Sequence, residues 1–159
     1  MGRSGQELKL EIELVPSTVW QKSLYKLLSR KVWNNIRDEI IKKEGRKCQI
    51  CGKTDGVMNL HEIWKYDDRK HVQKLEGFIL LCRLCHHVKH IGFAGILVSQ
   101  GKLDYDKVVE HFCKVNKCTE KEFEKHEARA FEIWGKRSRF RWEQDFGSYE
   151  GFLNKDNDA

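Results

Sequence analysis

Two Cys-x₂-Cys pairs, Cys48–Cys51 and Cys82–Cys85, are separated by 30 residues in a chain of 159. No other feature restricts the fold as tightly. Each pair places two thiols on one tight turn, and two such turns complete a tetrahedron of soft ligands, the set that zinc favours in structural sites. A thioredoxin-like redox role would want a single reactive pair at a helix start within a βαβ pattern. Here two pairs flank a hairpin instead. A finger built from Cys48, Cys51, His86 and His90 would need a far longer gap than the ~12–15 residues usual there, and it would strand Cys82 and Cys85. The spacing predicts one structural zinc closed by Cys48, Cys51, Cys82 and Cys85. Cys113 and Cys118 stand alone and read as ordinary thiols.

Metal-holding pairs of this kind belong in a reducing setting. The N-terminus, MGRSGQELKLEIEL, has no long apolar stretch of the secretory kind. No segment reaches the roughly 18 apolar residues of a membrane span. The expectation is a cytoplasmic protein with no membrane association. Lys and Arg number 30 against 24 Asp and Glu, a net charge of +6. That balance fits a polyanionic partner, DNA or RNA.

Periodicity gives a coarse element order. Leu8 to Val15 alternates apolar and charged residues and reads as a half-buried strand ended by Pro16. A short apolar helix or turn follows through Val19, Trp20, Leu24, Leu27 and Leu28. Ser29 is placed to cap a helix running to about Glu44, with Gly45 as its stop. Val57 to Tyr66 and Phe78 to Leu81 read as strands, with Asp67 to Gly77 as the polar connection and Asp67 and Asp68 as loop caps. Cys85 to about His90 opens a short helix. Asp104 to Asn116 reads as another. Thr119-Glu-Lys-Glu122 is a capping box for a helix running past Trp134. That helix carries Phe123, Ala130, Phe131, Trp134 and Trp142 on its apolar side, and Lys136, Arg137, Arg139 and Arg141 on the other. The spacing of Trp20, Trp33, Phe131 and Trp134 reads as core. The fold class expected is α+β, a zinc-stapled ββα core over residues 46–92. An N-terminal strand and helices (1–45) pack on it, and a helical extension (93–159) follows.

Inside the zinc-closed loop lies Leu60-His61-Glu62-Ile63-Trp64, and after it Leu80-Leu81-Cys82-Arg83-Leu84-Cys85-His86-His87-Val88-Lys89-His90. From about Arg46 to His90 this order resembles the zinc-containing branch of the HNH, or ββα-metal, nucleases. Their pattern is CxxC, a strand bearing a paired His, then an apolar run into CxxCH at a helix start. The resemblance implies an endonuclease that hydrolyses phosphodiester bonds in DNA. It places His61 and His86 on the metal-ligand positions and Glu62 on the general-base position. His90, one helical turn beyond His86, shares its face and matches the third ligand of some members, such as the colicin-type DNases. The implied catalytic ion is divalent: Mg²⁺, Mn²⁺, Ni²⁺ or Zn²⁺. The family usually has histidine at the base position. Glu62 is therefore read as a working base, a further ligand or a mark of lost activity. Adjacent strand residues point to opposite faces, so a local distortion is needed for His61 and Glu62 to serve one site.

His71 and His87 have no place in the family pattern. Lys89, Lys136, Arg137, Arg139 and Arg141 are the candidate phosphate contacts, and the basic run equally suits a solvated helix face. Two rival readings remain. One is a catalytically inactive nucleic-acid-binding module that keeps the zinc, and the other a zinc-stabilised protein-interaction adaptor.

Overall fold

The structure, a computed structural model, describes residues 7–19 and 24–153. It is a mixed α and β fold of the α+β class, with one three-stranded sheet among the described residues.

The centre is a hairpin. β1 (Met58–Asp67) pairs antiparallel with β2 (Val72–Cys82), His61 opposite Ile79 and Met58 opposite Cys82, with a register shift at Ile63/Trp64. The turn between them is much shorter than the polar connection expected from sequence. Asp67 Oδ1 accepts the backbone N–H groups of Arg69 and Lys70, and His71 takes φ 55° to close it. Residues 72–77 are strand despite their polarity, because Gln73 and Leu75 turn inward while Lys74 and Glu76 face water. β3 (Glu143–Asp145) lies parallel to β2 and was not expected, since three polar residues carry no strand signal.

α1 (Leu24–Leu27) and α2 (Arg30–Glu44) cover one face of the hairpin. Ser29 caps α2 by accepting the Val32 N–H, and Gly45 ends it at φ 86°, where a side chain would be strained. Trp33, Leu60, Leu75 and Phe146 fill that layer. α3 (Arg83–Lys89) follows β2 without a loop, and Cys82 ends the strand and caps the helix at once. α4 (Ile91–Ser99), α5 (Tyr105–Asn116) and α6 (Glu120–Arg137) complete the other side. The Thr119–Glu122 capping box forms as expected. Phe112 and Phe123, ring centroids 5.0 Å apart, anchor a core shared with Leu80, Leu81 and Val88.

Several expectations are corrected. Leu8 to Val15 alternates in burial as expected, with Leu10 and Ile12 inside, yet it pairs with no strand among the described residues. Side chains and one backbone bond, from the Glu13 N–H to the Lys89 carbonyl, supply its ladder instead. Asn116 accepts the Leu10 N–H and donates to the Leu10 carbonyl, both at 2.9 Å, and His126 accepts the Ile12 N–H. α6 stops at Arg137, so Arg139, Arg141 and Trp142 lie beyond it. Trp142 is buried all the same, its Nε1–H bonded to the Arg137 carbonyl. Phe131 is 41% exposed rather than core, whereas Trp33 is buried. Trp20 lies outside the described residues. α4 had no counterpart in the sequence reading.

Candidate functional site

The first cysteine turn is pinned to β2 by one residue. Gln49 donates its backbone N–H to the Leu80 carbonyl and accepts the Leu80 N–H on its side-chain oxygen. Cys48 and Cys51 are thereby set beside Cys82 and Cys85, and the four sulfurs lie within 4.8 Å of one another. The Cys51 and Cys82 sulfurs are 3.6 Å apart. Tetrahedral zinc with arms of ~2.3 Å separates neighbouring sulfurs by ~3.8 Å, so the set fits such an ion. A hydrogen bond from the Cys85 thiol holds Cys48 down to about 4 and pushes Cys85 up. Burial pushes Cys82 up to about 11. His111 of α5 reaches the same cluster, its Nε2 3.1 Å from Cys85 Sγ. An N–H donated there stabilises sulfur in the thiolate form a metal requires.

The second group is His61, His86 and His90, whose ligand nitrogens also lie within 4.8 Å of one another. His61 comes from β1 and His86 from α3. His90 is the joint between α3 and α4, accepting the Ala94 N–H and donating to the His86 carbonyl. His61 Nδ1 and His90 Nε2 are 3.1 Å apart, close to the ~3.3 Å between two nitrogens on a tetrahedral ion with ~2.0–2.1 Å arms. Burial first, then the neighbouring His61 ring, push His86 down to about 4 and His90 down to about 3. Both are therefore neutral near pH 7, the form a metal needs.

Sequence reasoning missed Glu13. Its Oε2 lies 3.0 Å from His61 Nε2 and its Oε1 2.7 Å from Lys89 Nζ. Burial raises its pKa, but His61 and Lys89 overcome this and hold it at about 2. A carboxylate facing Nε2 holds the ring with Nδ1 turned toward His90. Lys89 is 7% exposed and committed to Glu13, which removes it from the expected phosphate contacts. The alternation of charged residues around Ile12 held only a strand signal, with nothing to single out Glu13.

A cleft of about 750 Å³ opens beside the imidazoles, and Glu62 lines it with His61, His86 and His90. Glu62 accepts the Tyr25 N–H at 3.2 Å and the Trp64 Nε1–H at 3.0 Å. Burial raises its pKa above the usual carboxylate value. The hairpin's register shift falls beyond it, at Ile63/Trp64, and His61 and Glu62 themselves stay in regular register opposite Ile79 and Phe78.

The rest of the expected set is dispersed. Arg137 is bonded through Nε and Nη2 to Asp68 and lies over the Tyr66 ring, so Asp68 is an ion-pair partner rather than a loop cap. Lys136 pairs with Glu132. Arg139 and Arg141 are exposed. His87 receives the Arg83 Nε–H, and His71 stacks on Phe140. No helix among the described residues is long and apolar enough to cross a membrane. Comparison with protein families, curated proteins and solved structures gives no match.

Proposed function

We propose that this chain is a metal-dependent endonuclease of the HNH kind, hydrolysing phosphodiester bonds in DNA, with zinc on Cys48, Cys51, Cys82 and Cys85 as its structural staple. One observation carries the reading: three imidazoles converge, from a strand, a helix and a helix joint, beside a cleft that the half-buried Glu62 carboxylate also lines. His61, His86 and His90 would hold the catalytic ion. A divalent metal there supplies charge stabilisation on the scissile phosphate and its leaving oxygen. Glu62 takes the proton from the attacking water as the new P–O bond forms, and the leaving oxygen departs as the old one breaks. Its raised pKa suits that role better than an ordinary glutamate's would. Glu13 positions His61 and compensates Lys89.

Plasmid nicking tests this. The wild-type chain should nick supercoiled DNA with Mg²⁺, Mn²⁺ or Ni²⁺. His61→Ala and His86→Ala should lose nicking, and Glu62→Gln should lose it while still binding metal and DNA. Turnover unchanged in Glu62→Gln would reject its role as base. A second reading, an inert DNA-binding module, draws on the bond each Glu62 oxygen already accepts. Salt-sensitive binding without nicking in any metal supports that reading.

A further inference from the structure

We propose that one side of α2, carrying Arg30, Asn34 and Arg37, is the track for the sugar–phosphate backbone of the DNA strand cut in the cleft; this rests on the nuclease reading. The three residues recur at i, i+4 and i+7, so they share a helix face. All three line the cleft that holds His61, Glu62, His86 and His90. None is consumed by the fold. Among the described residues, the Asn34 and Arg37 side chains make no hydrogen bond or ion pair. Arg30 makes only a cation–π contact, its guanidinium 4.6 Å from the Tyr25 ring centre. Stacking holds that guanidinium in place and leaves its N–H edges free for a phosphate.

Of the α2 residues that line the cleft, none is acidic. Glu39 and Glu44 line a separate, smaller groove with Lys43, away from the cleft. Its first turn holds no acid and begins with Arg30 and Lys31, where the helix dipole favours anions. Cations there oppose the helix dipole. A local rule broken without a structural gain is expected where function requires it. The cleft's other arginine, Arg137, is tied to Asp68, and Glu13 is compensated by Lys89. Among the described residues, Arg30 and Arg37 are thus the cleft arginines that no acid holds. From i to i+7 the helix rises about 10 Å, the length of roughly three nucleotides along one strand of duplex DNA. The basic run at the end of α6 is the rival track. Lys136 and Arg137 are already paired, and Arg139 and Arg141 do not line the cleft.

Salt dependence separates the two. Zinc-loaded full-length chain is titrated into a fluorescein-labelled DNA duplex with no added divalent metal, from 50 to 200 mM salt. Wild type is compared with Arg30→Gln, Arg37→Gln, the double variant and Arg139→Gln/Arg141→Gln, each checked for an unchanged thermal melt. Each cleft arginine removed should flatten the slope of log K against log [salt] by about 1, and the double variant by about 2. Arg139→Gln/Arg141→Gln should keep the wild-type slope. A wild-type slope in the double variant, a loss carried by Arg139→Gln/Arg141→Gln, or no DNA binding overturns the track. Nicking is read separately. Wild type that nicks while the double variant keeps its slope sinks the track alone. Slopes that fall as expected without nicking in any metal leave the track standing and sink the nuclease.

Discussion

Glu13 touches His61 across 48 residues of sequence and Lys89 across 76, and these contacts decide how the imidazole group works. A carboxylate behind a ligating histidine fixes its tautomer and ring angle, and its loss typically costs 10–100-fold in metal affinity. Glu13→Gln should weaken metal binding at the three imidazoles by roughly that factor, about 10–100-fold, and leave the four-cysteine site untouched. Calorimetric titration of Ni²⁺ into zinc-loaded protein measures it, and unchanged affinity would contradict the assignment. The substitution also leaves the buried Lys89 ammonium without its anion, which, with Glu13 37% exposed, costs about 1–3 kcal/mol. Adding Lys89→Met should restore most of that stability but not the affinity, separating folding from positioning. None of this was legible in sequence. His61, His86, His90 and the four cysteines announce themselves by local spacing. Glu13 and His111 act through contacts that only the folded chain creates.

Among elements, the N-terminal segment shows how a strand pattern can be right about burial and wrong about partners. Leu10 and Ile12 are buried because an extended chain turns every second residue the same way. Whether such a chain joins a sheet depends on who answers its backbone groups, and here α5 and α6 answer with Asn116 and His126. Asn116→Leu should strand the Leu10 N–H and carbonyl, costing about 2–4 kcal/mol. For a chain of this size that lowers the melting temperature by about 5–10 °C. A melt within a degree of wild type would show that the segment needs no such clamp. The segment also delivers Glu13, so this variant should weaken the imidazole site as Glu13→Gln does. β3 and the polar half of β2 escaped the sequence reading for a related reason. Their residues carry little apolar signal, and pairing alone makes them strands.

For the molecule as a whole, the hairpin and α3 place two groups of metal-fitting side chains on one short stretch of chain. In the metal-free protein His86 and His90 titrate at about 4 and about 3, while unfolded histidines titrate near ~6.5. Between those values the unfolded state binds more protons, so stability is full above pH 6.5 and is lost as pH falls toward 4 and then 3. Glu13, held at about 2, extends the loss below the usual carboxylate range. Allowing for solvent screening at on the order of 1 kcal/mol per ring, metal-stripped protein should melt several degrees lower at pH 4 than at pH 7. A melt independent of pH over that interval would contradict the lowered pKa values of His86 and His90. The most direct test of the central claim is a crystal structure of Mn²⁺-soaked protein with anomalous data. The account predicts one manganese peak bonded to His61 Nδ1 and to ring nitrogens of His86 and His90, at about 2.0–2.2 Å. Imidazoles that bind no ion there, while manganese settles elsewhere, would contradict it.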